Sequence, residues 1–505
     1  LAGDVSTSSI AVGDAERFVL VNGFDFFGQD NWQVTSKLNI NYGLRWEYFG
    51  PLHANGPADL GEFIPGQGLK VQGQNLGQIF HPDYHNLAPR FGFAYSPGSG
   101  FVVRGGFGVF FDQINMNPFL DFRPPISAAD GLEDNPVGIH PVDSYSRNSY
   151  NWQTAQLGGV SIFPHVTTCK GNFATDPGCL SSSQVFNVFG VNPNFRPPYF
   201  YNYNLNIEKS LGGAALLQVG YVGSNGHKLS VMTDINQNGA FNALYPNYGS
   251  ILQLESEGTS NYNALQAIFK LRSWHGVSGQ MAYTWGHALD EVTEYRGVIP
   301  HDSFNLNIDY ANSDFDTRHN FTTYLSWDIP GSSHGPAILT HGWVLSALLS
   351  LHSGQPFNPQ TGSDASGTQR PGLNLIANPY AGVSHVFSAA LGGEPWINPN
   401  AFCIPGPGCA GPRNPNGDLG RNALVGPGFA DLDLSIFKNI PLKERFKLQL
   451  RAEMFNVFNR INLASGAFAV GPNGVVGDTI GDFNGAPGLG PGEPFNLQIA
   501  AKVVF

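Results

Sequence analysis

The residues best suited to chemistry in this 505-residue chain gather in one stretch. Between positions 287 and 319 stand Asp290, Glu291, Glu294, Asp302, Asp309, Asp314 and Asp316, against Arg296 and Arg318, with His287, His301 and His319 nearby. An oxygen-rich cluster of this kind can hold Ca²⁺. It lacks the fixed acidic spacing and central glycine of a calcium loop. The expectation is therefore a solvated or internally packed loop, with a cation site and a ligand contact as alternatives. Asp314, Asp316 and Arg318 lie two apart at the start of a strand-like run, which predicts a shared face and a structural ion pair. Asp431 and Asp433 are also spaced i, i+2. A glycosidase needs two carboxylates facing each other across a cleft at ~5–9 Å, whereas these adjoin Ser435 and Lys438 on what reads as one polar wall. His81 and His85 have helical ligand spacing, but Pro82 and the Gly/Asn surroundings make the segment a loop. No nucleophile elbow, zinc-protease helix or phosphate-binding glycine loop occurs. The residues argue for no catalysis, no cofactor and no resident metal.

The four cysteines fall into two close pairs, Cys169 with Cys179 and Cys403 with Cys409, each in a Gly/Asn/Pro-rich stretch. Local pairing in loops suits an oxidising compartment. A zinc site would prefer closer Cys spacing with accompanying His. Loop disulfides are the expectation, with free thiols the main alternative.

The elements that must carry these residues are announced by composition. Charged residues make up 13% of the chain, with 63 Gly, 36 Pro, 38 Phe, 18 Tyr and 8 Trp. Ordinary soluble proteins run near ~25% charged, with far less Gly and Pro. Helical bundles and coiled coils are excluded by the glycine, and disorder by the aromatics. A net charge of −12 excludes a nucleic-acid backbone as partner. No stretch reaches the ~20 apolar residues of a membrane-spanning helix.

Alternation with period two is the informative signal. Phe446, Leu448, Leu450, Ala452 and Met454 share one face of a run, and Lys447, Gln449, Arg451 and Glu453 the other. The same pattern recurs in residues 37–48, 199–208 and 494–505. Strands are predicted at 18–33, 37–49, 88–96, 101–112, 199–211, 214–224, 261–271, 277–289, 319–329, 342–355, 428–438, 445–458 and 494–505. Many have 10–13 residues, matching the ~9–11 that a tilted strand needs to cross a bilayer. The connections alternate short and long without a break, as they do in outer-membrane barrels. Trp46, Tyr48, Tyr199, Tyr283, Trp285 and Trp327 stand near strand ends, as an interfacial girdle requires. The fold class is therefore all-β, an antiparallel transmembrane outer-membrane β-barrel.

These segments resemble the barrel of TonB-dependent outer-membrane receptors, in the Oar-like subgroup. The resemblance rests on FFGQDNWQVTSKLNINYGLRWEYF from Phe26, LAPRFGFAYSP from Leu87, GYVGSNGHKL from Gly220 and DFDTRHNF from Asp314. GRNALVGPGFADLDLSIFKN from Gly420 and RAEMFNVFNRIN from Arg451 complete it. Together they span nearly the whole chain. The resemblance implies a plug, a TonB-contacting segment and a regulatory-like domain, none of which is visible here, and a barrel of about 22 strands. Residues 1–505 accordingly read as the C-terminal portion of such a barrel, an incomplete one of thirteen strands. An odd count cannot close antiparallel, so a curved sheet with a gap between residues 18–33 and 494–505 is expected. Phe505 matches the aromatic terminus that such receptors present to the barrel-assembly machinery. The implied partners are outer-membrane lipid, the TonB complex, that machinery and an extracellular solute (oligosaccharide, peptide or metal chelate). A surface adhesin or structural outer-membrane protein is the alternative.

Overall fold

A strand whose alternate side chains differ in polarity can face two solvents at once, and a sheet of such strands forms a wall with no core of its own. In the computed structural model, the described residues are 8–11, 19–54, 61–71, 76–113, 128–131, 150–151, 156–157, 160–161, 186–240, 244, 248–293, 299–359, 372–386, 388, 390, 393–412, 417–443, 446–463, 475–476 and 494–504. Thirteen strands build the wall in chain order: β1 Gly23–Thr35, β2 Leu38–Phe49, β3 Asn86–Gly98, β4 Phe101–Phe111, β5 Tyr199–Leu211, β6 Ala215–Asp234, β7 Tyr248–Trp274, β8 Val277–Asp290, β9 His319–Asp328, β10 Trp343–His352, β11 Phe429–Lys443, β12 Phe446–Phe455 and β13 Asn496–Val504. Each pairs antiparallel with the next, as the alternation predicts. The path begins at β1 and ends at β13, and among the described residues no ladder joins the two. Ser8–Ala11 pairs with Ala128–Gly131 rather than with the wall.

The faces follow the register. Leu448, Leu450, Ala452 and Met454 stand beside Val503, Ala501, Ile499 and Leu497. Ile499 is 79% exposed and Phe26 69%, so this apolar face has no protein against it. Glycines on it receive neighbouring rings. A Cβ on Gly223 would lie 2.2 Å from the Tyr203 ring, and one on Gly105 2.5 Å from Phe93. That packing explains why glycine and aromatics are abundant together. The opposite face carries Gln449, Arg451 and Glu453.

Lys438 corrects the expected polar wall. It pairs with Trp343 and Leu450 on the outward side, while Asp431, Asp433 and Ser435 face inward. The reason is parity, because an even position cannot share a face with odd ones on a regular strand. Its ammonium lies 4.8 Å from the Trp343 ring centroid and donates to the His341 carbonyl, so the charge leaves the apolar surface near the strand end.

Tight turns join the strands at one end. Ser99–Gly100 and His275–Gly276 have positive φ at both positions (53° and 75°, 50° and 83°), the two-residue geometry that matches strand twist. At the other end β6 and β7 run to 20 and 27 residues, well beyond the predicted 214–224 and 261–271. A further strand, Phe186–Val191, read from sequence as loop, lies parallel to the start of β7 at residues 248–254. Hydrophobic burial gathers at this long-loop end, where Leu52, Leu76, Ile79, Phe80, Val191, Phe195, Met232 and Leu254 form one cluster.

Candidate functional site

The long-loop end is where chain from distant parts of the sequence converges, and buried polar groups there must find partners. The hairpin Gly61–Ile64/Gly68–Val71 brings Glu62 beneath strand Phe186–Val191. Its carboxylate accepts the Val191 amide at 3.1 Å. Burial pushes the Glu62 carboxyl up to about 8, opposed by that amide. Glu255, on the protruding part of β7, accepts the Asn192 side-chain amide at 2.7 Å and is raised by burial to about 7. Asp234 at the tip of β6 accepts the amides of Asn236 and Ile251 at 2.9 and 3.0 Å. Gln237 clamps the following loop, donating to the His301 carbonyl and accepting from the Ser303 amide, both at 2.7 Å.

The acidic stretch is organised around Arg421, whose side chain is wholly buried. Its guanidinium donates to Asp290 Oδ1 at 2.5 Å, to the Asp290 carbonyl at 2.7 Å, to Thr293 Oγ1 at 2.7 Å and to the Asp309 carbonyl at 3.2 Å. Asn422, at φ 53°, donates to the Asn312 carbonyl and to Asp314 Oδ1. Asn is among the few residues that adopt this left-handed conformation readily. Asp309 accepts from the His301 ring and backbone amide at 2.6 and 2.8 Å. Glu291 accepts the Thr259 amide, and burial raises its carboxyl. Asp316 pairs with Arg318 at 3.1 Å, the ion pair the spacing predicts, while Asp314 turns to Asn422 instead. These acids are met one by one by N–H donors rather than sharing a cage of oxygens. Among the described residues no group of three or more His, Cys, Asp or Glu is arranged to hold a metal.

Arg421 and Asn422 lie in the segment that starts at Gly420, and no local pattern there assigns them a role. The signal was available: Arg421 stands in a glycine-rich loop, and the acidic stretch holds seven Asp and Glu against two Arg. Glu62 gave no signal, because nothing local marks it as buried. His81 and His85 do not converge. His81 meets Asn194 at 3.4 Å, and His85 meets Asp83 at 3.0 Å. Cys403 and Cys409 are disulfide-bonded, with Cα atoms 5.7 Å apart. Cys169, Cys179 and Phe505 lie outside the described residues.

Below this assembly the inner face of the wall carries paired charges. Arg45 meets Asp25 at 2.9 Å and also Glu47, Arg104 meets Glu208 at 2.8 Å, and Arg451 meets Glu453 at 2.8 Å. Asp431 and Asp433 sit on one strand of this face, not across a cleft, so they lack the opposed geometry of a hydrolytic pair.

No curated protein matches the sequence. Similar solved structures include the ferric-catecholate import receptor Fiu of Escherichia coli, at 11% identity and a TM-score of 0.43, covering 96% of this chain and 45% of that one. The ferripyoverdine receptor of the Pseudomonas aeruginosa outer membrane is similar at 10% identity and a TM-score of 0.46, covering 97% and 39%. The outer membrane transporter YddB of Escherichia coli is similar at 10% and 0.45, covering 96% and 54%. The chain thus spans about two fifths to one half of the length of these structures. The outer membrane beta barrel domain model matches residues 1–489, nearly the whole length, and the chain belongs to that outer-membrane family.

Proposed function

We propose that this barrel is the wall and ligand-gathering end of a receptor that transports an extracellular solute across the outer membrane. The observation that carries the reading is the long-loop end. Simple closure of strands needs only short links, yet here loops separated by more than a hundred positions are locked together around buried Arg421 and Glu62. Such a preorganised surface suits ligand capture, since ordering costs are met before binding. The paired charges of the inner wall suit passage of a polar solute.

Following the resemblance to the Oar-like subgroup, the energy comes from the TonB complex acting through a plug region of the whole protein. The solute class is an oligosaccharide, a peptide or a metal chelate, in keeping with loops rich in Asn, Gln, Tyr and Trp. In this reading Cys169–Cys179 and Cys403–Cys409 staple outer loops, and Phe505 is the terminus read by the barrel-assembly machinery. The test is solute uptake and growth in cells carrying the whole protein, with and without a working TonB system. Solute-dependent growth that disappears without TonB supports transport. Surface attachment that survives loss of TonB, with no uptake of any solute class, replaces transport with adhesion.

A further inference from the structure

A crevice of about 560 Å³ opens on the outward face of the wall, at its long-loop end, between β3, β4 and β5. Its origin is in the sequence. The ladder between β3 and β4 runs only up to Arg90↔Gly108. The next residue outward on β3 is Pro89, which has no N–H to donate. Above that point the two strands part, although β3 remains paired with β2 through Pro89↔Leu44 and Leu87↔Trp46.

The lower walls of the crevice are apolar and aromatic: Leu87, Pro89, Phe107, Val109, Tyr199 and Tyr201. All of these positions face outward by register. The upper rim is charged, formed by Arg196, Lys228, His85 and Asp83. Arg196 is fixed through its backbone, its amide donating to Ser256 Oγ at 2.8 Å and its carbonyl accepting from the same hydroxyl at 2.9 Å. Only its Nε approaches an acid, Asp83 at 3.5 Å. Asp83 is also engaged by His85. The terminal amino groups of Arg196 make no hydrogen bond or ion pair among the described residues. Lys228 sits at φ 54° in the bulge of β6 between Gly226 and Leu229. A bulge of this kind re-aims a side chain, and here Lys228 reaches the same rim. Its ammonium likewise has no ion pair among the described residues. One carboxylate therefore stands against two cations with donors to spare.

We infer that this crevice binds an anionic, phosphate-bearing lipid of the surrounding leaflet, its acyl chain along Leu87, Val109 and Phe107 and its phosphate between Arg196 and Lys228. The order of the two halves carries the assignment. Apolar surface lies toward the membrane interior and spare cationic donors lie at headgroup level, beside the stacked Trp46, Tyr48 and Tyr84. A polar solute bound for the lumen would not meet these walls, which face outward by register. Guanidinium and ammonium groups with free donors match phosphate oxygens. The inference rests on the family placement and not on the transport reading, so failure of transport leaves it standing.

The test uses the folded chain in detergent, checked by heat-modifiable migration, and counts bound lipid by native mass spectrometry after titration with phosphatidylglycerol, phosphatidylcholine or inorganic phosphate. Retention of phosphatidylglycerol over phosphatidylcholine is expected, with no retention of inorganic phosphate, because the apolar half contributes. Arg196→Gln with Lys228→Gln should weaken retention at least about tenfold, as loss of charge-assisted hydrogen bonds implies. The charge-matched control Lys37→Gln with Lys209→Gln, two cations beside the turns at the opposite end of the wall, should not. Equal retention of both lipids, equal retention by the double variant, or an equal loss in the control would each overturn the inference. Retention of inorganic phosphate alone would replace the lipid with a free anion and overturn it too.

Discussion

The wall strands β8 to β13 and the loop assembly above them are built from the same chain but answer to different solvents. In the wall, alternation alone satisfies the environment. Apolar side chains such as Ile499 stand uncovered, and backbone groups pair between neighbouring strands, as hydrocarbon demands, up to β13, where the path of the sheet ends. In the loop assembly the exterior is water, so stability must come from enclosed surface. Leu52, Ile79 and Phe195 are almost fully buried, and so are Glu62, Asp309, Arg421 and Asn422. The wall tolerates apolar exposure and is intolerant of charge on its outer face. The assembly tolerates buried charge only where each charge has its donor or acceptor.

The largest break in this comparison is expected at Arg421→Ala. It leaves Asp290 and the Asp309 carbonyl without their buried partner, and removing one side of a buried ion pair costs about 3–5 kcal/mol. Protease sensitivity of the loops in intact cells should rise sharply while heat-modifiable migration persists. Loss of both together would mean that wall and assembly are not separable. Next come Leu448→Arg and Leu450→Arg, each costing ~2–4 kcal/mol on the lipid face near mid-membrane. Gln449→Arg between them points inward and should assemble normally. Equal tolerance at all three positions, measured as folded protein in the membrane fraction, would remove the assignment of faces.

A smaller effect is expected from pH. Glu62 ionises near 4.5 when unfolded but holds its proton to about 8 when folded. Its contribution is therefore fully present below about 4.5 and is lost as pH rises toward 8. Glu255, raised to about 7, acts in the same direction over a narrower range. The loop assembly should resist proteolysis better at pH 5.5 than at 8.5, and Glu62→Gln should flatten that difference. A wild-type profile that instead improves with rising pH would contradict the burial of Glu62. The gentlest probe is His275→Cys, in a tight turn of the short-turn end. A membrane-impermeant thiol reagent should leave it unlabelled in intact cells and label it after permeabilisation. Strong labelling in intact cells would invert the orientation of the two regions.

The strands themselves were legible because their cause is local. The predicted run 37–49 became Leu38–Phe49 and 277–289 became Val277–Asp290, since period-two polarity is imposed residue by residue. The lengths of β6 and β7 were not legible. Beyond the membrane their side chains no longer alternate between lipid and lumen, and the extension is held by the pairing of β6 with β7 and by strand Phe186–Val191, brought in from elsewhere. The acidic loop was recognised as a cluster, but its role turned on Arg421, 131 positions from Asp290. Lys438 was misplaced by counting neighbours instead of parity.

By itself the sequence determined the class of the molecule. Sparse charge, abundant glycine and aromatics, strands of bilayer length and alternating short and long links admit only a membrane sheet, because each is a response to solvent felt locally. The tertiary structure alone decided which loops meet, which acid receives the buried Arg421 guanidinium, and where Pro89 lets two strands part. Those outcomes depend on groups far apart in the chain that must satisfy one another once water is excluded, and no local pattern encodes a partner so distant.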